Sequence, residues 1–241
     1  MHKSLAVRAS TNRVPREDVV FVIDDDDATR TGVEQLLGSV GLRVVPFRSA
    51  VEFLDGALPD TTCCLVLELC MPGVSGLQLQ EELAKAAFQV PLIFITGQGS
   101  IATAVRAMKA GAVDFLTKPV NEQDLLDAVF AALAGDRMRR RQEEALSALQ
   151  ERFRSLSSRE RQVLFRVAAG RPNKQIADEL GVSEIMVKVH RAHGMRKMKA
   201  TSLAELVRMS DLLKSEFLTM AAQGNDPSAV TSHKRSIKLI S

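Results

Sequence analysis

The first half of the chain alternates two hydrophobic periods. Short, nearly continuous apolar runs occupy Val19–Ile23 and residues 42–47, 64–69, 92–95 and 112–116. Runs of this length without polar alternation predict strands buried on both faces. Between them, apolar residues recur at helical spacing over residues 28–40, after Ser49, and over residues 77–87, 101–110 and 122–134. Ser49 followed by Glu52 reads as a capping box. Five βα units of this size predict an α/β fold, a parallel five-stranded sheet with helices on both sides.

Beyond residue 135 the strand signal disappears. Residues 136–150 keep a helical pattern but are highly charged, and Leu146, Leu149, Phe153 and Leu156 step by 3, 4 and 3. Two readings of this stripe stay open: a linker helix resting on a neighbouring domain, or a short dimerising coil. Four short helices follow. Ser157 with Glu160 forms a capping box for the first, which ends at Gly170; Asn173 caps the second, over residues 174–180. Gly181-Val182-Ser183 makes a three-residue turn, and Ser183 caps a third helix running to about Met198. Ser202 with Glu205 opens the fourth with another capping box. The organisation expected is a mobile tail at 1–17, an α/β domain at 18–134, a linker helix at 135–154, an all-α four-helix domain at 155–220 and a mobile tail at 221–241.

A length of 241 residues accommodates two ordinary domains, and 46% hydrophobic with 25% charged residues are globular values. Aromatics are 4%, all of them Phe, which counts against an all-β fold. No apolar stretch approaches the ~20 residues of a membrane span, and the first 17 residues lack the apolar core of a signal peptide. Cys63, Cys64 and Cys70 are odd in number and crowded, neither a disulfide framework nor a zinc spacing. These features predict a reduced, cytoplasmic protein with no membrane partner. Charge separates the halves. Residues 18–134 carry 16 acidic and 7 basic residues, net −9, whereas residues 135–241 carry 12 acidic and 21 basic, net +9. A basic second half is compatible with nucleic acid.

The run Asp24-Asp25-Asp26-Asp27 directly follows the first strand, where a dinucleotide-binding unit would have a glycine-rich loop. Four carboxylates there repel a pyrophosphate. The third strand ends at Glu68, the fourth at Thr96 and the fifth near Lys118. Ligands of open α/β sheets bind at the carboxyl ends of the strands. Clustered carboxylates there call for a hard divalent cation, Mg2+ by preference, while a Lys and a Thr can hold phosphoryl oxygens.

The runs VFVIDDDDATR, LVLELCMPGVSG, PLIFITGQGS and VRAMKAGAVDFLTKP resemble the receiver domain of bacterial response regulators over residues 19–134. The resemblance implies a flavodoxin-like (βα)5 fold in which Asp24 and Asp25 position Mg2+, together with the acceptor position and the backbone carbonyl of Cys70. It places the switch hydroxyl at Thr96, the switch aromatic at Phe115 and the phosphate-binding amine at Lys118, before a cis Lys118–Pro119 bond. One position departs: the family has Asp as phosphoacceptor where this chain has Glu68. Glutamate reaches one methylene further, about 1.5 Å. Glu68 could mimic the phosphorylated form, merely disable the acceptor, or be phosphorylated slowly.

In the second half, the Gly181 turn joins two helices, and the later one is the candidate reader of a DNA major groove. Ile176, Ala177 and Leu180 point inward from the first. On the second, Val187, His190 and Met198 share one face, with His190 a partly buried packing residue. Lys188, Arg191, Ala192 and Met195 lie toward the other face. Lys188 and Arg191 can reach phosphates or guanine edges, and Val189 a thymine methyl. Lys174, Arg196 and Lys197 are expected at backbone phosphates. The runs LSSRERQVL, NKQIADELGVS and VKVHRAHGMRKM resemble the LuxR-type helix-turn-helix of FixJ/NarL-class regulators, and the whole layout resembles the TodT/StyR subgroup. Gly194 departs, standing where the family has a large apolar residue; Met186 and Met195 are candidates to refill the space. A larger residue at 194 is expected to stabilise the helix.

The resemblance implies a two-component transcription regulator and not an enzyme. It would be driven by a sensor histidine kinase, bind double-stranded DNA as a homodimer, and work with RNA polymerase. The rival reading is a phosphorylation-independent interaction module with impaired or no DNA binding; Lys188, Arg191 and Lys197 argue against it.

Overall fold

A computed structural model of the chain describes residues 18–56 and 60–213. The tails expected at 1–17 and 221–241 lie outside the described residues. The chain divides into two compact units, one running to Arg140 and the other beginning at Arg141.

In the first unit, the runs without polar alternation form β1 (Val19–Ile23), β2 (Arg43–Phe47), β3 (Cys63–Glu68), β4 (Leu92–Thr96) and β5 (Asp114–Thr117). They make one parallel sheet in the order β2-β1-β3-β4-β5. Pleating sends alternate residues to opposite faces. Phe21, Ile23, Leu65, Leu67 and Phe94 pack with Phe53 of α2 (Ala50–Asp55), Leu79 and Leu83 of α3 (Gly76–Lys85) and Ala107 of α4 (Ile101–Lys109). Val20, Val22, Val66, Ile93 and Ile95 pack on the other side with Val33 and Leu37 of α1 (Asp27–Ser39) and Leu125, Val129 and Leu133 of α5 (Glu122–Arg154). Burial on both faces explains the continuous apolar strands.

Two helices expected as separate segments are one: α5 runs 33 residues without a break. Its early part is fastened by Asp136, which is 1% exposed. The Asp136 carboxylate accepts the Cys63 amide at 3.0 Å and hydrogen bonds from Arg139 and Arg140, and Arg140 also pairs with Asp60 at 2.8 Å. This ties α5 to the first residue of β3.

The second unit consists of the end of α5 with α6 (Ser158–Ala168), α7 (Asn173–Leu180), α8 (Glu184–Met198) and α9 (Leu203–Leu212). Leu149, Phe153 and Leu156 enter its core beside Val163, Leu164, Val167, Ile176, Val187 and Leu206, whereas Leu146 is exposed. Three of the four stripe residues are therefore packed within this unit.

The caps refine the expectations. Ser157 and Glu160 close a reciprocal box on α6. Glu52 and Glu205 instead turn to the amides of Arg48 and Thr201, one residue before their N-caps Ser49 and Ser202. Asn173 does not cap α7; Pro172 takes that place, and Asn173 is the first helical residue. Gly181 ends α7 in the left-handed conformation, φ +64°, which lets the chain turn sharply into α8.

Candidate functional site

The acidic run after β1 is divided among distinct tasks. Asp24 is buried, 3% exposed, and its Oδ1 accepts the Asp26 amide at 2.9 Å. Asp25 is exposed. Asp26 caps α1, accepting the amides of Ala28 and Thr29 and the Thr29 hydroxyl, and these bonds hold its carboxyl below the usual range. Asp27 pairs with Arg30. Arg30 is itself buried and donates from Nη1 to the Asp24 carbonyl at 2.6 Å, fixing the loop that presents Asp24. The sequence pattern did not single out Arg30; a lone cation one helical turn into an acidic run was the available signal.

Register brings the other groups to the same edge, with Glu68 beside Ile95 and Thr96 beside Thr117. Glu68 is 6% exposed. Its Oε1 accepts the Cys70 amide at 3.0 Å and its Oε2 lies 2.7 Å from Lys118 Nζ. The same ammonium lies 2.8 Å from Asp24 Oδ2. Burial works against the charge of Lys118, but hydrogen bonds to Asp24 and Glu68 outweigh it and hold the ammonium above its usual range. Thr96 is fully buried and its Oγ1 accepts the Gln98 amide at 3.2 Å. A Cβ at Gly99 would fall 2.7 Å from Phe115 Cζ and 2.8 Å from Thr96 Cγ2, so the Phe115 ring closes over the Thr96–Gly99 turn. The Lys118–Pro119 bond is cis.

The structure thus brings Asp24, Glu68 and Lys118 together, with Thr96 and Phe115 alongside. Asp25 does not join them: among the described residues no three acidic, His or Cys side chains converge on a point that could hold a metal ion. Asp24 and Glu68 meet through Lys118.

Two family models match, the response regulator receiver domain at residues 20–130 and the luxR family of bacterial regulatory proteins at residues 154–210. Nodulation protein W of Bradyrhizobium diazoefficiens is 52% identical over 195 residues, covering 81% of this chain and 86% of that protein. The chain is a DNA-binding two-component response regulator of the FixJ/LuxR type. Response regulator protein TodT of Pseudomonas putida is 46% identical over 199 residues, covering 83% of the regulator and 88% of TodT. The solved structure of response regulator StyR matches with a TM-score of 0.75 and 46% identity, covering 81% of the regulator and 98% of StyR. The regulator's family is one of transcriptional regulators, and receiver domains of the family generally bind Mg2+ in the acidic pocket. Among the described residues no helix is long and apolar enough to cross a membrane.

The regulator's second unit places α7 and α8 around the Gly181 turn. Ile176, Ala177, Val187, Gly194 and Met198 are buried, and His190 is half-buried. Lys174, Lys188, Val189, Ala192, His193 and Arg196 are exposed. Arg191 is half-buried, its Nη1 3.5 Å from Asn173 Oδ1. Met195, a candidate to refill the space beside Gly194, packs against the core. Lys197, assigned to a phosphate, donates to Glu160 Oε2 at 2.7 Å and to the Ser155 carbonyl at 3.3 Å. Ile185, 72% exposed in the first turn of α8, is an exposed apolar residue that the motif comparison passed over.

Proposed function

We propose that the regulator binds operator DNA through α8 without needing a phosphodonor, because Glu68 occupies the acceptor position with a charge already paired to Lys118. Residues 18–134 form the receiver, 135–154 the linker helix and 155–220 the DNA-binding domain. The protein works in the cytoplasm, as a homodimer on two half-sites and in concert with RNA polymerase. The observation that carries this reading is the Lys118 bridge, 2.7 Å to Glu68 and 2.8 Å to Asp24. Both Glu68 oxygens are engaged, one with the Cys70 amide and one with the ammonium. That supports a receiver set by its own side chain over one awaiting phosphorylation by a sensor histidine kinase.

Asp24, Glu68 and the Cys70 carbonyl offer only oxygens, which suits Mg2+ in kind, while Asp25, the next residue after Asp24, is exposed. A bound Mg2+ would neutralise carboxylate charge at the strand ends. Thr96 and Lys118 line the same edge, and Phe115 packs beside Thr96. For DNA, Lys188, Val189, Arg191 and Ala192 face bases, with Lys174 and Arg196 at phosphates.

The test compares the protein as it stands with Glu68→Asp and Glu68→Ala, with and without acetyl phosphate and Mg2+. The parent should dimerise and bind DNA regardless of donor, Glu68→Asp should bind only with donor, and Glu68→Ala should be inactive throughout. A gel that retards phosphoproteins reports modification, and sizing with DNA titration reports output. Identical DNA binding by the parent and Glu68→Ala would mean that Glu68 is a disabled acceptor and not a mimic.

A further inference from the structure

Lys197 stands in the last turn of α8 with its side chain 42% exposed, at a position where the sequence pattern predicts a phosphate contact. Its ammonium is committed elsewhere. It lies 2.7 Å from Glu160 Oε2 in the first turn of α6 and 3.3 Å from the carbonyl of Ser155, the first residue past α5. Glu160 is 5% exposed, and its Oε2 also accepts the Ser157 amide at 2.7 Å. Burial pushes the Glu160 carboxyl up, but hydrogen bonds from Lys197 and Ser157 prevail and hold it below the usual range. One ammonium therefore joins the end of α5, the start of α6 and the end of α8.

The neighbouring contact explains why such a joint is needed. A Cβ at Gly194 would come within 2.8 Å of Leu164 Cδ1, so α6 and α8 approach with a bare backbone on one side. Glu160 precedes Leu164 by one helical turn and Lys197 follows Gly194 by nearly one, so the ion pair lies next along the same interface. A glycine offers no side chain to lodge between ridges and fix the sliding of one helix on the other. A hydrogen-bonded charge pair with a buried carboxylate does fix it.

We propose that Lys197 is a positioning residue for DNA binding: paired with Glu160, it sets where α8 presents Lys188 and Arg191, and it makes no phosphate contact of its own. The inference rests on α8 being the reading helix.

The experiment uses the full chain and a duplex selected by the parent protein from a random library, with an unselected duplex as reference. Binding is followed by fluorescence anisotropy between 50 and 200 mM KCl for Lys197→Met, Lys197→Arg, Glu160→Gln, the double variant Glu160→Gln/Lys197→Met, and Lys188→Ala. Circular dichroism establishes that each is folded at the assay temperature. Lys197→Met and Glu160→Gln should each weaken binding to the selected duplex by about tenfold, a 1.4 kcal/mol effect. The double variant should be no worse than either, because both break one pair. Binding to the unselected duplex and the slope of log K against log salt should stay unchanged, and Lys197→Arg should retain most of the affinity. A slope shallower by about 0.9 in Lys197→Met, with Glu160→Gln at parental affinity, would identify a phosphate contact and overturn the proposal. Equal losses on both duplexes would overturn it too, leaving the pair a purely structural strut. If Lys188→Ala matches the parent on the selected duplex, or if the parent selects no duplex, the reading-helix assignment itself fails and the proposal falls with it.

Discussion

Leu164 fills the space that Gly194 leaves open. Adding a methyl group at 194 gains about 1 kcal/mol of helix propensity. It also places carbon 2.8 Å from Leu164 Cδ1 and 2.9 Å from Cγ, and Leu164 is only 3% exposed. Overpacking of this kind costs about 1–3 kcal/mol, so the balance tips toward loss. Gly194→Ile is therefore expected to lower the melting temperature of the second unit in calorimetry of the full chain, reversing the expectation from the motif alone. Leu164→Ala combined with Gly194→Ile should recover part of the loss. The resemblance alone marks residue 194 as a departure from the luxR-type pattern. It does not show that the partner helix brings a leucine into the vacated space, because that depends on an approach between residues thirty positions apart. Glu68 was legible for the opposite reason: register places it at a strand end whatever the side chains around it do.

At the scale of elements, strands and caps were readable because they depend on local chemistry. Which amide a capping glutamate takes was not, as Glu52 and Glu205 illustrate. Asp136 is the larger omission. An acid just ahead of a run of arginines on a charged helix reads as a solvated face, yet here it is buried against the first residue of β3. Burial pushes its carboxyl up; hydrogen bonds from Arg139, the Cys63 amide and Arg140 outweigh this and hold it below the usual range. A depressed folded pKa means the stability is complete above the ordinary carboxylate range and is lost as pH falls through the lowered value. Thermal unfolding of the parent should thus weaken steadily below about pH 4, whereas Asp136→Asn should lose less over the same interval. At neutral pH, Asp136→Ala should destabilise the first unit by about 1–3 kcal/mol in urea unfolding, because it leaves the buried Cys63 amide without its acceptor and removes the carboxylate from Arg139 and Arg140.

For the whole molecule, the division of charge was visible from composition, net −9 over residues 18–134 and net +9 over residues 135–241. Composition could not say which cations are available to DNA. Lys174, Lys188 and Lys197 are all exposed, but the Lys197 ammonium is paired with Glu160. Lys188→Ala should lower affinity for a selected duplex by about 1–3 kcal/mol and relax its specificity. Lys174→Ala should weaken all sequences alike and reduce the salt slope by about 1. Anisotropy titrations at several salt concentrations distinguish the two effects, and an unchanged affinity for Lys188→Ala would remove α8 from the groove.

The Glu68–Lys118 pair also bears on time. A phosphoryl group on a receiver is added and hydrolysed, so its lifetime decides how long a signal lasts. A carboxylate encoded in the gene has no such clock; it appears with the polypeptide and leaves with it. On the reading proposed above, the quantity that carries information is the number of copies in the cell, and the response can decay no faster than proteolysis and dilution by growth remove them.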